Sequence, residues 1–482
     1  MKEIALLIAG IASVVILVLL IFGSISRAIG RHQRILDWEV MEGQTIDVRN
    51  YTDEVMENIH AAYCFEADDQ DLDQQTWSDL EMNQLFYTLN HTFSSIGDEA
   101  LYTRLHKPQD VQKNQDLHSR YQHRFQHDPD FKQNVLKSLS YLKKINANHL
   151  SFMLHKPYLS KETNWKTLIL FPLGLLGLIT VTVIMTLIGM NAATLLPLYL
   201  LLITGSISKY ALYSFRYENE INAISYFIDL LIVAKHDQTV SAYRNVYRWR
   251  YFYPRLSHSL DFLAQIFKSV TMVDFLLMHS LVKRFNQDTS AALELYHLIG
   301  SLEVALATYS FAQQSDQISI PIIGNDETIT IEGMVHPLLL DGVRNSFSVS
   351  SNVLISGSNA SGKSTFVKAL ALNLVLAQTL FVCSSQSMHL HPTAVYTSMA
   401  VKDALEKGDS YYVAEIKSIL RLLKAARTMG HCSFFIDEIL KGTNTIERIS
   451  ASAAILNALN SLNCFVMVAT HDIELTRIME KS

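Results

Sequence analysis

Residues 352–365 read NVLISGSNASGKST, and the reading of this stretch decides the fold of the last third of the chain. Asn352–Ser356 is an apolar run of strand length. Gly357–Thr365 matches G-x-x-x-x-G-K-[ST], and the helix-forming run FVKALALNLVLAQTL follows at 366–380. The order predicts a buried strand, a phosphate-cradling loop and a helix. Glycine at both ends of the loop lets the backbone pass close to phosphates with its N–H groups turned inward, and the helix N-terminus adds its positive end. Gly357, Ser358, Asn359, Ala360, Ser361, Gly362, Lys363, Ser364 and Thr365 are therefore the candidate nucleotide-binding loop. Lys363 is suited to the β- and γ-phosphates of ATP and Ser364 to Mg²⁺.

Two further strand ends complete the pattern. Cys432–Ile436 (CSFFI) is apolar and ends in Asp437-Glu438. An acid at that place holds Mg²⁺, and a following Glu can act as general base on the attacking water. Phe465–Ala469 ends in Thr470-His471-Asp472, where His471 can sense the γ-phosphate; a histidine that merely caps a turn is the plainer alternative. From about residue 318, short β-rich runs such as ISIPII and TITIEG come first and later alternate with helical stretches. That alternation predicts an α/β domain with a largely parallel sheet, so 318–482 is read as an α/β P-loop NTPase domain.

Upstream the period is helical. Residues 85–160 and 211–315 place apolar residues at helical spacing, as in ISYFIDLLIVAKH and ALELYHLIGSLEVALATYSF. The aromatics there read as packing. His118, His123 and His127 lack tight ligand spacing and read as surface histidines. Cys64, Cys383, Cys432 and Cys464 are scattered without a C-x-x-C pair, which argues against a disulfide framework or zinc site and fits a reducing compartment.

Only 18% of the 482 residues are charged, while 49% are hydrophobic. That balance points toward lipid contact. The net charge of −6 excludes a nucleic-acid polycation as a whole. Charge is uneven, with 53–81 acidic and 101–166 basic. The basic stretch reads as the positive side of a membrane segment or as a phosphate-binding face.

Residues 4–23, IALLIAGIASVVILVLLIFG, carry no charge and are long enough to span a bilayer as a helix. Arg27, Arg31 and Arg34 follow the run rather than precede it, which favours an uncleaved anchor with its N-terminus outside over a signal peptide. A second apolar block runs from Leu168 to Ser208, interrupted by Gly189, Met190 and Asn191. It predicts a transmembrane hairpin with both ends cytoplasmic, because Lys161, Lys166, Lys209 and Arg216 flank it. The expected order is an anchor (1–26), an acidic cytosolic linker (27–80), a helical core (81–165), the hairpin (166–210), the second part of the core (211–317) and the NTPase domain (318–482). A multi-pass protein of the cell membrane with its NTPase domain in the cytoplasm follows.

Further segments carry a family likeness. His336-Pro337 precedes the strand at 352. Residues 403–415 (DALEKGDSYYVAE), 437–445 (DEILKGTNT) and 469–475 (ATHDIEL) resemble motifs of the MutS mismatch-repair ATPases. Residues 89–108 (LNHTFSSIGDEALYTRLHKP) resemble that family's helical core. Residues 76–86 (TWSDLEMNQLF) and Glu447-Arg448 are most similar to its smaller, membrane-attached bacterial members. The resemblance covers most of 80–160 and 290–480.

It implies an ABC/MutS-type ATPase domain that uses ATP and Mg²⁺, with Glu438, His471 and Lys363 catalytic and Ser364 and Asp437 at the metal. It further implies a homodimer in which Gly408 and Ser410 of one module close over the nucleotide of the other. By the same likeness Asn359 contacts phosphates, His471 is the γ-phosphate switch, and His336 and Phe347 flank the adenine. DNA binding of the mismatch-repair type is the implied activity, with membrane lipid as a second partner. Three departures stand out. The mismatch-reading domain and its G-x-F-Y-E signature are absent, Cys64-Phe65-Glu66 being a poor substitute. No clamp region is visible, and the apolar hairpin interrupts the helical core. Only a short tail follows His471, where the family continues into a dimerisation element. An ATP-switched membrane scaffold without DNA, and an ABC-class transporter component, are the alternatives, since fold likeness does not fix function.

Overall fold

In the computed structural model of the chain, the described residues are 2–44, 51–145, 149–156, 165–234, 243, 248, 261–339, 342–358, 361–399, 411–429, 431–462 and 464–480. They divide into two compact units: residues 1–39, 93–96 and 133–299, and residues 40–92, 97–132 and 300–482. This division differs from the expected order of segments. Residues 97–132 and 300–317 cluster with the sheet-bearing region rather than with the rest of the helical segments.

In the second unit the strands are β1 (Ile318–Ser319), β2 (Ile322–Ile323), β3 (Ile329–Met334), β4 (Asn345–Val349), β5 (Val353–Ser356), β6 (Cys383–Ser384), β7 (Ser387–Leu390), β8 (Ala394–Ser398), β9 (Cys432–Asp437) and β10 (Cys464–Thr470). A four-stranded sheet has the order β5-β10-β9-β8, with every pair parallel. A second sheet, β2-β7-β3-β4, is mixed, and β1 pairs antiparallel with β6. The sheet is thus parallel only where helices separate the strands, because a parallel pair needs a long crossover.

β5 was expected to be buried. It is instead the edge of the parallel sheet, paired to β10, and its residues are half-buried or exposed. The helix that follows it, Lys363–Thr379, is the buried element: Val367 and Ala369 through Thr379 are buried. A helix apolar around most of its circumference must be enclosed on most sides. It shares one core with Ile59, Tyr63, Trp77, Leu85, Phe86 and Leu101 as well as with Phe435, Met467 and Ala469 of the sheet.

The stretch 27–80, expected to be an acidic linker, is largely helical and belongs partly to this core. It includes the helices Asp53–Tyr63 and Gln74–Asp79 and the buried side chains of Trp38, Ile59, Leu72 and Trp77. Three of its carboxylates have partners distant in sequence. Asp71 is 3.3 Å from the Lys107 ammonium and accepts from the Tyr63 hydroxyl at 2.9 Å. Asp73 pairs with Arg421. Asp79, buried, accepts from the Thr397 hydroxyl at 2.7 Å and from the Met399 amide at 3.0 Å. The helix Gln74–Asp79 therefore covers the β8 edge of the parallel sheet, whose open backbone groups would otherwise invite pairing with another chain. His118, expected at the surface, is buried with its ring 5.3 Å from that of Phe381, and burial lowers its pKa to about 4.

The first unit is helical. Helix Lys2–Met41 runs without interruption past the expected anchor boundary at residue 26. Trp165–Leu187 and Leu196–Arg216 form a hairpin joined by Gly189, Asn191 and a 3₁₀ turn, Ala192–Leu195. Its segments Ile169–Leu187 and Ala193–Arg216 are long and apolar enough to cross a membrane, and only 6% of each is buried. The second of these helices is tied to helix Asp261–Thr271 and its successor. The Ser206 hydroxyl donates to the Ser269 carbonyl, and the Tyr210 hydroxyl to Asp274, whose carboxylate also lies 3.4 Å from the Lys268 ammonium.

Candidate functional site

Three strand ends meet at one edge of the parallel sheet. Ser356, the last residue of β5, is paired in register with Thr470 of β10, and Ala469 of β10 with Asp437 of β9. Carboxyl ends of parallel strands are where open α/β sheets place their ligands.

The chain leaves β5 through Gly357 and enters helix Lys363–Thr379 at Gly362, whose φ of +89° caps the helix in the left-handed region. A side chain there would be strained, which accounts for the glycine. The Lys363 ammonium folds back over the loop and donates to the carbonyls of Gly357 at 2.7 Å and Ser358 at 2.9 Å. Ser364 is half-buried, while Ser358, Ser361 and Thr365 are exposed. Asn359 and Ala360, and likewise Gly408 and Ser410, lie outside the described residues.

Beside the loop opens a cleft of about 840 Å³, lined by His336, Phe347, Val353, Gly362, Lys363 and Phe366 among others. The rings of Phe347 and Phe366 are 5.1 Å apart. Nδ1 of His336 accepts from the Leu338 amide at 3.2 Å. Burial, with the Lys368 charge adding to it, holds the His336 pKa below its usual value, so the ring is neutral near pH 7. The lining of the cleft thus combines the Phe347 and Phe366 rings with Lys363.

Glu438 follows β9 in the left-handed region, with φ of +63°, and its amide donates to the Ala469 carbonyl at 2.9 Å. That conformation turns its side chain toward the end of β10. One carboxylate oxygen lies 3.0 Å from Nδ1 of His471 and the other 3.1 Å from the Lys441 ammonium. Burial alone would raise the Glu438 pKa. The hydrogen bonds from His471 and Lys441 outweigh it and hold the carboxyl below its ordinary range. Asp437 is half-buried beside it. Asp472 is clamped by Arg448, Nε at 2.9 Å and the second nitrogen at 2.7 Å, which fixes the turn that carries His471. The arrangement can bind an anion at the loop and accept a proton at Glu438.

Of the residues singled out by sequence, Ser356–Ser358, Ser361–Lys363, Asp437, Glu438 and His471 lie along this edge and its adjoining loop. Sequence reasoning did not foresee three others. Lys441 sits on the second oxygen of Glu438, Arg448 clamps Asp472, and Glu415 accepts the amides of Lys441 at 3.0 Å and Gly442 at 3.1 Å. All three belong to motif segments quoted above, but no spacing rule links them to their partners.

Comparison with known proteins agrees with the motifs. Residues 353–482 match the family described as MutS domain V. Endonuclease MutS2 of Thermus thermophilus is 32% identical over 177 residues, 36% of this chain and 23% of that protein. The DNA mismatch repair protein MutS of Thermus aquaticus is 32% identical over 127 residues, 26% of this chain and 15% of that protein. Endonuclease MutS2 of Streptococcus equi subsp. equi is 24% identical over 272 residues, 52% of this chain and 35% of that protein. The chain therefore spans well under half the length of each of these relatives.

Proposed function

We propose that this chain, whose residues 353–482 match the family described as MutS domain V, is a MutS-family, membrane-anchored P-loop ATPase that works as a pair of modules and responds to DNA. The observation that carries the ATPase part is the placement of Lys363 over the 357–362 loop together with Glu438 and His471 at the neighbouring strand ends. Mg-ATP fits this edge. The aromatic wall of Phe347 and Phe366 suits a purine, and the N–H groups before helix Lys363–Thr379 suit the phosphates.

In this reading Lys363 leaves the two carbonyls for the phosphate oxygens. Ser364 and Asp437 would hold Mg²⁺, which when bound would neutralise phosphate charge. Glu438 takes the proton of a water whose oxygen bonds to the γ-phosphorus while the bond to the β-bridging oxygen breaks, releasing ADP and phosphate. His471, hydrogen-bonded to Glu438, registers the γ-phosphate. Gly408 and Ser410 of the partner module would complete the site of a homodimer.

The exposed apolar hairpin, Ile169–Leu187 and Ala193–Arg216, and the uncharged run 4–23 support residence in the cell membrane with lipid as a partner. Lys209 and Arg216 at the end of the hairpin favour a cytoplasmic ATPase domain. DNA is proposed because relatives carry the names mismatch repair protein and endonuclease. An ATP-switched scaffold without DNA is the second reading, favoured by the net charge of −6, which is not that of a nucleic-acid polycation.

The test is ATP turnover of the detergent-solubilised full chain, with and without duplex or branched DNA, beside Glu438→Gln. Turnover that DNA stimulates and Glu438→Gln abolishes supports the whole reading. Turnover indifferent to DNA at low salt, where phosphate contacts are strongest, moves the conclusion to the scaffold. Absence of ATP binding removes the ATPase reading.

A further inference from the structure

The loop 438–442 is held in an unfavourable shape. Glu438 and Leu440, neither of them glycine, have φ of +63° and +57°. Left-handed residues of this kind persist only where their surroundings over-determine them. Part of what does so is Glu415, on the second turn of helix Tyr411–Thr428. Its side chain is buried, and its two oxygens each take one amide of the loop, Lys441 at 3.0 Å and Gly442 at 3.1 Å. Charge-assisted bonds of this kind are stronger than neutral ones.

The helix also lies close to the loop, with no room for a side chain between them at Gly442. A Cβ added at Gly442 would stand 3.3 Å from Cβ of Tyr412 and 3.5 Å from a Glu415 oxygen. Glycine is what lets the loop lie this close. Lys441, whose amide Glu415 takes, is the residue whose ammonium reaches Glu438 at 3.1 Å.

We infer that Glu415 is a positioning residue: it locks the 438–442 loop onto helix Tyr411–Thr428, so that the placement of Glu438 depends on where the first turns of that helix stand. A displacement of the helix start is passed to Glu438 through two hydrogen bonds and the Gly442–Tyr412 contact. The kinetic half of this inference rests on the ATPase reading; the holding of the loop does not.

Glu415→Gln keeps the volume but presents an NH₂ group to one of the two amides. Gly442→Ala leaves Glu415 in place and pushes the loop from the helix. For both variants of the full chain in detergent, amide hydrogen exchange of a peptide covering 438–444 and steady-state ATP turnover are measured. The expected result is exchange at least tenfold faster and kcat at least tenfold lower, with KM and ATP affinity within twofold of the parent protein. Unchanged exchange overturns the inference whether or not the parent turns over ATP. So does an unchanged kcat, or a loss of ATP affinity that accounts for the loss of rate. A parent without turnover removes the ATPase reading alone, and faster exchange in the variants then still upholds the lock.

Discussion

Nδ1 of His471 lies 3.0 Å from a carboxylate oxygen of Glu438, although the two residues leave different strands of the parallel sheet. Their meeting follows from strand order. β9 and β10 are neighbours, Ala469 is in register with Asp437, and each residue sits just past the strand end. With Lys441 on the other oxygen, Glu438 is held ionised and oriented before any substrate arrives.

Replacing His471 therefore has a directional effect. A carboxyl that His471 and Lys441 hold low regains part of its ordinary pKa in His471→Ala, with Lys441 still lowering it. Glu438 must be ionised to accept a proton, so the acid limb of the kcat–pH profile moves to higher pH. Turnover at neutral pH is expected to fall roughly 10-fold or more, toward the scale of lost acid–base assistance. A profile unmoved on its acid side removes the assigned link between the two residues.

Lys363→Ala tests the anion site. Among the described residues its ammonium is bound to two exposed loop carbonyls, so the folded protein loses little. The ligand loses a charge-assisted contact worth about 1.5–3 kcal/mol, or ~10- to 100-fold in ATP affinity. Fluorescent-nucleotide titration beside a melting curve reads both. Unchanged affinity would place the nucleotide elsewhere.

Acid should destabilise the fold before the carboxylates titrate. Burial lowers His106 and His118 to about 4, against about 6.5 in the unfolded chain. The unfolded state then binds more protons between those values, so stability is present above about pH 6.5 and is lost as pH falls toward 4. The thermal midpoint should drop between pH 7 and 5, and His118→Gln should flatten that slope. An equal slope in the variant assigns the acid sensitivity to other groups.

Removing the carboxylate that caps β8 should be costly. Asp79→Ala leaves the buried Thr397 hydroxyl and Met399 amide without this acceptor, a loss of about 1–3 kcal/mol or more, since the acceptor is charged. Urea unfolding should show it, with Asp79→Asn milder because one oxygen remains.

The hairpin makes its own prediction. Leu176 is 58% exposed within the apolar segment Ile169–Leu187. An arginine near the middle of a membrane helix costs roughly 2.5–3.5 kcal/mol on insertion scales. Leu176→Arg should release a measurable share of the chain from membranes on alkaline extraction. Identical retention would mean that this segment is not what holds the chain in the bilayer.

What the sequence determined alone was whatever chemistry is written in contiguous residues. The strand–loop–helix around Gly357–Thr365 and the acids closing β9 could be read because turn geometry, hydrophobic period and residue type act within a few positions of one another. What lay beyond reach was set by packing between distant segments. The acidic run 53–81 looks like solvated linker by composition, yet Asp71, Asp73 and Asp79 are matched to Lys107, Arg421 and Thr397, the last of these 318 residues away. β5 is apolar enough for a central strand, but strand order puts it at the edge. Nothing near Glu415 shows that its carboxylate will take two amides of another loop, nor anything near His118 that its ring will be buried beside Phe381. A side chain's partners across the fold are decided only when the chain closes on itself, because local propensity carries no information about which buried charge will meet which donor.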